Sequence, residues 1–123
     1  MANTYEAIRK GNTLADRWTT RGKWVFDANG EGTAVKVAGF TEKSVQLSGT
    51  PTFGGGTLTI QGSMDGDDWF TLRDLDGVDM VWTADPSYSM GIWGLCVYVR
   101  PVLVGATNPD LTLHLLAISP AAR

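Results

Sequence analysis

From Trp24 onward, apolar and polar positions alternate with a period of two rather than the 3.6 of a helix. KWVF opens the pattern, and TAVKVAGF follows with Val35 and Val37 set against Ala34 and Lys36. In KSVQLSG, Val45 and Leu47 stand against Ser44, Gln46 and Ser48. In TLTIQ, Leu58 and Ile60 point one way and Thr57, Thr59 and Gln61 the other, the mark of a half-buried strand rich in β-branched residues. DWFTLRD reads as its return strand, with Phe70 and Leu72 on one face and Trp69, Thr71 and Arg73 on the other. VDMVW, LCVYVRPVLV and LTLHLLAI complete the series.

Between these runs lie Asp65-Gly66, Asp76-Gly77 and the turn-rich TADPSYSMG, where glycine supplies positive φ and aspartate bonds to nearby backbone. Short strands at this spacing predict an all-β fold, a single β-sandwich or jelly roll of about seven or eight short antiparallel strands. Residues 1 to 13 show neither period and end in a break at Gly11-Asn12, so residues 1–20 are expected as an extended arm with room for one helical turn. Residues 21–123 are expected to form the sandwich domain.

A chain of 123 residues, 43% hydrophobic and 19% charged with 15 glycines, suits one compact domain rich in turns. No segment approaches membrane-spanning length, so no membrane partner is expected. MANTYEAIRKGNTLADRW has no apolar run after its charges, which predicts a protein made in a cytoplasm and not a secreted one. The net charge of −3 argues against a nucleic-acid partner. Its distribution is uneven. Residues 1 to 23 carry Arg9, Lys10, Arg17, Arg21 and Lys23 against Glu6 and Asp16, while residues 65 to 85 carry seven aspartates against Arg73.

Candidate chemistry is sparse. Cys96 is the sole cysteine, which removes any intrachain disulfide, and its setting in LCVYV reads as a small buried hydrophobe. His114, the sole histidine, keeps the strand period and reads as a packed or hydrogen-bonded residue rather than a general base. Gly54-Gly55-Gly56 lies between two strands with no Lys-Ser or Lys-Thr pair after it, so it is not a phosphate cradle. Asp65, Asp67 and Asp68, or Asp74, Asp76 and Asp79, offer the hard oxygens calcium prefers, but neither run matches an EF-hand, and hairpin turn chemistry accounts for them. No catalytic residue, metal site or cofactor is expected. Of the five tryptophans, Trp69 and Trp93 border turns and are the candidates for a surface contact. In the arm, Tyr5, Ile8, Arg9 and Lys10 are the candidates.

The run VQLSGTPTFGGGTLTIQGSMDGDDWFTLRDLDG, the Tyr-Val-Arg-Pro strand and the terminal LTLHLLAIS strand resemble the β-sandwich decoration or cement proteins of tailed bacteriophage capsids, over roughly residues 33 to 119. The resemblance implies a virion protein on the capsid surface, assembled in the host bacterial cytoplasm. It implies no catalysis, a major capsid protein as partner, and self-association as a homotrimer, with a dimer as the alternative. Two other readings stand beside it: a tail, neck or fibre-adaptor component of the same particle, and a carbohydrate-binding β-sandwich module using exposed tryptophans.

Overall fold

The computed structural model describes residues 3–8, 19–86, 89–94 and 96–118. All regular structure among them is β: twelve strands, every pairing antiparallel, arranged as a sandwich of two six-stranded sheets. The strands are β1 (Thr4–Ile8), β2 (Thr19–Phe26), β3 (Gly30–Glu31), β4 (Val35–Lys36), β5 (Glu42–Leu47), β6 (Thr57–Ser63), β7 (Trp69–Thr71), β8 (Arg73–Asp74), β9 (Val81–Trp82), β10 (Met90–Trp93), β11 (Tyr98–Val104) and β12 (Leu111–Ile118). The first sheet runs β1-β2-β12-β5-β10-β8. The second runs β3-β11-β6-β7, with β4 also on β11 and β9 also on β6.

The alternation read from the sequence sets which side chains enter the core. On β12, Leu111, Leu113, Leu115 and Ala117 are buried while Thr112, His114, Leu116 and Ile118 face outward and are half-buried. On β6, Leu58 and Ile60 are fully buried between the sheets. Trp24 and Phe26 of β2 fill the space opposite, and the Trp24 indole N–H donates to the Thr33 carbonyl at 2.8 Å, which satisfies its one polar atom.

Three differences from the sequence reading have physical causes. First, residues 4–8 are not part of an unpaired arm: Thr4–Ile8 pairs along its whole length with β2, from Thr4 opposite Val25 to Ile8 opposite Arg21. In TYEAI the adjacent Ala7 and Ile8 break strict alternation, so the segment shows no clean period. What holds it is tertiary: Tyr5 tilts against Trp24 with ring centroids 5.2 Å apart. Asn3 clamps the next turn, accepting from the Asp27 and Ala28 amides and donating to the Ala28 carbonyl. Second, DWFTLRD is two strands. The chain leaves the second sheet after Thr71, buries Leu72, and enters the first sheet at Arg73. Third, TAVKVAGF is ordered as a strand only over Val35–Lys36, although Val35 and Val37 both reach the core.

The triple glycine is a turn. Gly54 and Gly55 have φ of 59° and 77°, and the Gly56 amide donates to the Phe53 carbonyl at 2.9 Å. Positive φ at both central residues is the hairpin turn that matches strand twist, and side chains oppose it. The Gly54 carbonyl in turn accepts from the Thr107 amide at 2.9 Å, tying this turn to the loop before β12.

Candidate functional site

The two acidic turns are built from their own aspartates. In the hairpin joining β6 to β7, Asp65 Oδ1 accepts from the amides of Asp67 and Asp68, each at 2.9 Å, and from the Ser63 hydroxyl at 3.1 Å. Ser63 Oγ accepts from the Gly66 amide at 2.8 Å, and Gly66 takes φ of 82°. These donors favour the charged carboxylate and hold Asp65 below its ordinary pKa, the Asp68 and Asp67 amides contributing most. In the turn after β8, the buried Asp74 accepts through Oδ1 from the amides of Asp76 and Val78 at 2.9 and 3.0 Å. The Asp-Gly pairs therefore order backbone. Among the described residues no group of three or more histidine, cysteine or acidic side chains is placed to hold a metal ion.

What these turns flank is an apolar corner. Where the chain crosses between sheets at Leu72, a groove of about 310 Å³ opens, lined by Phe70, Thr71, Leu72, Arg73, Trp93 and Gly94. Trp93 is 60% exposed and Phe70 45% exposed. Phe70 stands opposite Gly62, on the side of β7 that faces the core, yet β7 is the last strand of its sheet and nothing described covers the ring. Trp93 stands opposite Arg73 on the outer side of β10. Arg73 Nε contacts Asp79 Oδ1 at 3.3 Å, an exposed pair at the rim. The next turn adds exposed Leu75 and Val78. Leu75 lies over the bare backbone of Gly91, where a side chain would meet its Cδ1 at 2.6 Å, and it lines a second groove of about 440 Å³ with Leu116 and Ile118. Large apolar side chains thus stand exposed on strands fixed in two sheets, with the Arg73–Asp79 pair beside them.

The residues singled out from sequence are dispersed. Trp93 belongs to the corner. Trp69 does not present a free platform: Arg100 lies over its ring at 4.0 Å, and that guanidinium is fixed by Gln61 at 2.9 Å and Glu31 at 2.8 Å. Tyr5 is half-buried on Trp24, and burial pushes its hydroxyl pKa up, so its contact is internal. Ile8 sits in β1, at the far edge of the first sheet from the corner. Arg9 and Lys10 lie outside the described residues. Phe70, Arg73 and Leu75 were missed. The sequence pattern sets Phe70 beside Leu72 on one inward face, and only the break at Leu72 and the place of β7 at the end of its sheet leave Phe70 open.

His114 exchanges a 3.1 Å hydrogen bond with Ser48 on the outer face of the first sheet. Cys96 is buried, and desolvation pushes its thiol pKa up against the smaller opposing effect of Lys43.

No known family model matches the chain, and no curated protein matches it. Its fold is shared with a solved structure, the SPBc2 prophage-derived protein YomS. The TM-score is 0.57 and the identity 12%, over 97% of this chain and 96% of that one.

Proposed function

We propose that this chain is a structural protein of a tailed-phage particle, a decoration or cement protein that sits on the outside of the capsid and bridges neighbouring capsid subunits without catalysis. The observation that carries this reading is the sandwich shared end to end with a prophage-derived protein. The site agrees with it. A bridging protein needs a rigid body and an exposed anchor, and Trp93 with Phe70 supplies the anchor on strands fixed in two sheets. Exposed aromatics that become buried at the centre of an interface carry a large share of binding energy, about 2 kcal/mol or more each.

The direct experiment adds purified protein to undecorated capsids and measures co-sedimentation. Saturable binding at a fixed ratio to capsid subunits is the expected result, and its absence at micromolar protein rejects the reading. A second reading, a carbohydrate-binding module, is favoured by one observation: Trp93, Phe70 and Arg73 line one groove, combining ring faces with a hydrogen-bond donor. Glycan binding that Trp93→Ala abolishes, with no capsid binding, selects that reading instead.

A further inference from the structure

The two sheets end differently at the Leu72 corner. β8 closes the first sheet, and its outer side is taken by its own chain: Arg73 bridges to Asp79, and the Asp74 amide donates to the Val78 carbonyl at 2.8 Å. β7 closes the second sheet, and among the described residues nothing pairs with its outer side. The ladder determines which backbone groups are left over. Gln61 stands opposite Thr71, Gly62 opposite Phe70 and Ser63 opposite Trp69. The Leu72 amide donates to the Ile60 carbonyl at 2.9 Å, so Leu72 and Phe70 are the positions whose backbone turns toward β6. Trp69 and Thr71 alternate with them and direct their N–H and C=O into the open side. The row stops at β7, because Val81, next along this edge on β9, already donates its amide to the Asp79 carbonyl at 2.9 Å. Trp69–Thr71 holds neither lysine nor proline, the residues that commonly guard an open edge.

The Trp93–Phe70 groove lies alongside this row, and Thr71 lines it. We propose that the corner binds an extended peptide segment of a partner protein, which adds to β7 as one more strand of the second sheet. Its backbone bonds to that of Trp69 and Thr71. Its residue opposite Phe70 shares the inward face of that ring and enters the groove beside Trp93. The residues on either side of it point outward, next to exposed Thr71 and to Trp69 under the Arg100 guanidinium, and are polar. The ligand is therefore a short strand-forming segment with one apolar residue between polar ones. Main-chain bonding supplies its affinity and a single side-chain pocket its selectivity. A sugar or a folded apolar surface would fill the groove and leave the backbone row without a strand partner. The inference rests on the reading of this corner as the anchor proposed above, and names the class of segment it takes.

A displayed library of random heptapeptides, selected on the full chain, tests it. Enriched peptides should carry an apolar residue between polar ones and no proline at the centre. They should bind Thr71→Val, which keeps the backbone amide, as tightly as wild type. Thr71→Pro should bind them at least about tenfold more weakly, since proline removes the outward N–H and sets its ring in the path of the added strand. An outward position on an edge strand tolerates proline, and circular dichroism checks that the variant folds. Hydrogen exchange on the wild-type chain needs no variant: bound peptide should slow exchange of the Trp69 and Thr71 amides at least about tenfold. Failure to enrich any alternating peptide overturns the proposal. So does peptide binding that leaves Thr71 exchange unchanged, or that Thr71→Pro tolerates as well as Thr71→Val. Capsid co-sedimentation of the same two variants keeps the two readings apart: equal capsid binding by both removes this inference alone, and peptide capture without capsid binding removes the capsid role alone.

Discussion

Two adjacent glycines in one turn should differ sharply in what a methyl group costs. Gly54 and Gly55 both have positive φ, so alanine at either position carries the penalty of a left-handed backbone, about 1 kcal/mol. Around Gly55 an added Cβ meets nothing within 4 Å, and that penalty is the whole effect. At Gly54 the same atom overlaps the Thr107 carbonyl oxygen and lies 2.9 Å from the Thr107 carbonyl carbon and amide nitrogen. These are backbone atoms and cannot rotate away. The loop must shift, which strains the packing by about 1 to 3 kcal/mol and weakens the bond from the Thr107 amide to the Gly54 carbonyl, worth about 1 kcal/mol. Gly54→Ala should therefore cost about 3 to 5 kcal/mol against about 1 for Gly55→Ala. For a domain of this size that is a fall in Tm of more than about 10 °C against about 4 °C. Urea and thermal unfolding followed by tryptophan fluorescence would measure both. Equal losses, or a larger loss at Gly55, would refute the close approach of the 53–56 turn to the loop before β12.

Trp93→Ala should change stability by less than about 1 kcal/mol, because the indole is already 60% exposed, while reducing partner binding by tenfold or more in a titration. Tyr5→Ala should cost about 2 kcal/mol in urea unfolding, since the ring packs on Trp24 and covers Gly22; a neutral result would return residues 4–8 to an unpaired arm. Asp65 has its pKa lowered in the folded state, so its charge stabilises the fold above its ordinary value of 3.8, and that contribution is lost as the pH falls through the folded value. The stability difference between wild type and Asp65→Asn should accordingly shrink as the pH drops below about 4, and a difference that stays constant down to strongly acid pH would remove the hydrogen bonds proposed for that carboxylate.

The sandwich was legible in the sequence because its long strands each have one buried face, and period-two alternation records that directly, as in Leu111 to Ile118 and Leu58 to Ile60. The short edge elements were not. β3, β8 and β9 hold two residues each, fewer than one full alternation, and β1 is held by the Tyr5 ring on Trp24, a contact between positions 19 residues apart. The site was half legible. Trp93 was recognisable from its place beside a turn, but the same cue marked Trp69, which the Arg100 guanidinium covers. Which indole stays open depends on Arg100 reaching across from β11, a long-range fact with no local trace. Phe70 read as a core residue because its face is right, and only its position on the last strand of the sheet exposes it.

The central claim, that this protein bridges and stabilises a capsid, is tested most directly by heating shells with and without it. A bridge that binds the intact shell and not its dissociated subunits raises the rupture temperature by linkage. The midpoint should climb with added protein, level off at a fixed ratio to capsid subunits, and climb less with Trp93→Ala. A rupture temperature unchanged at saturating protein contradicts it.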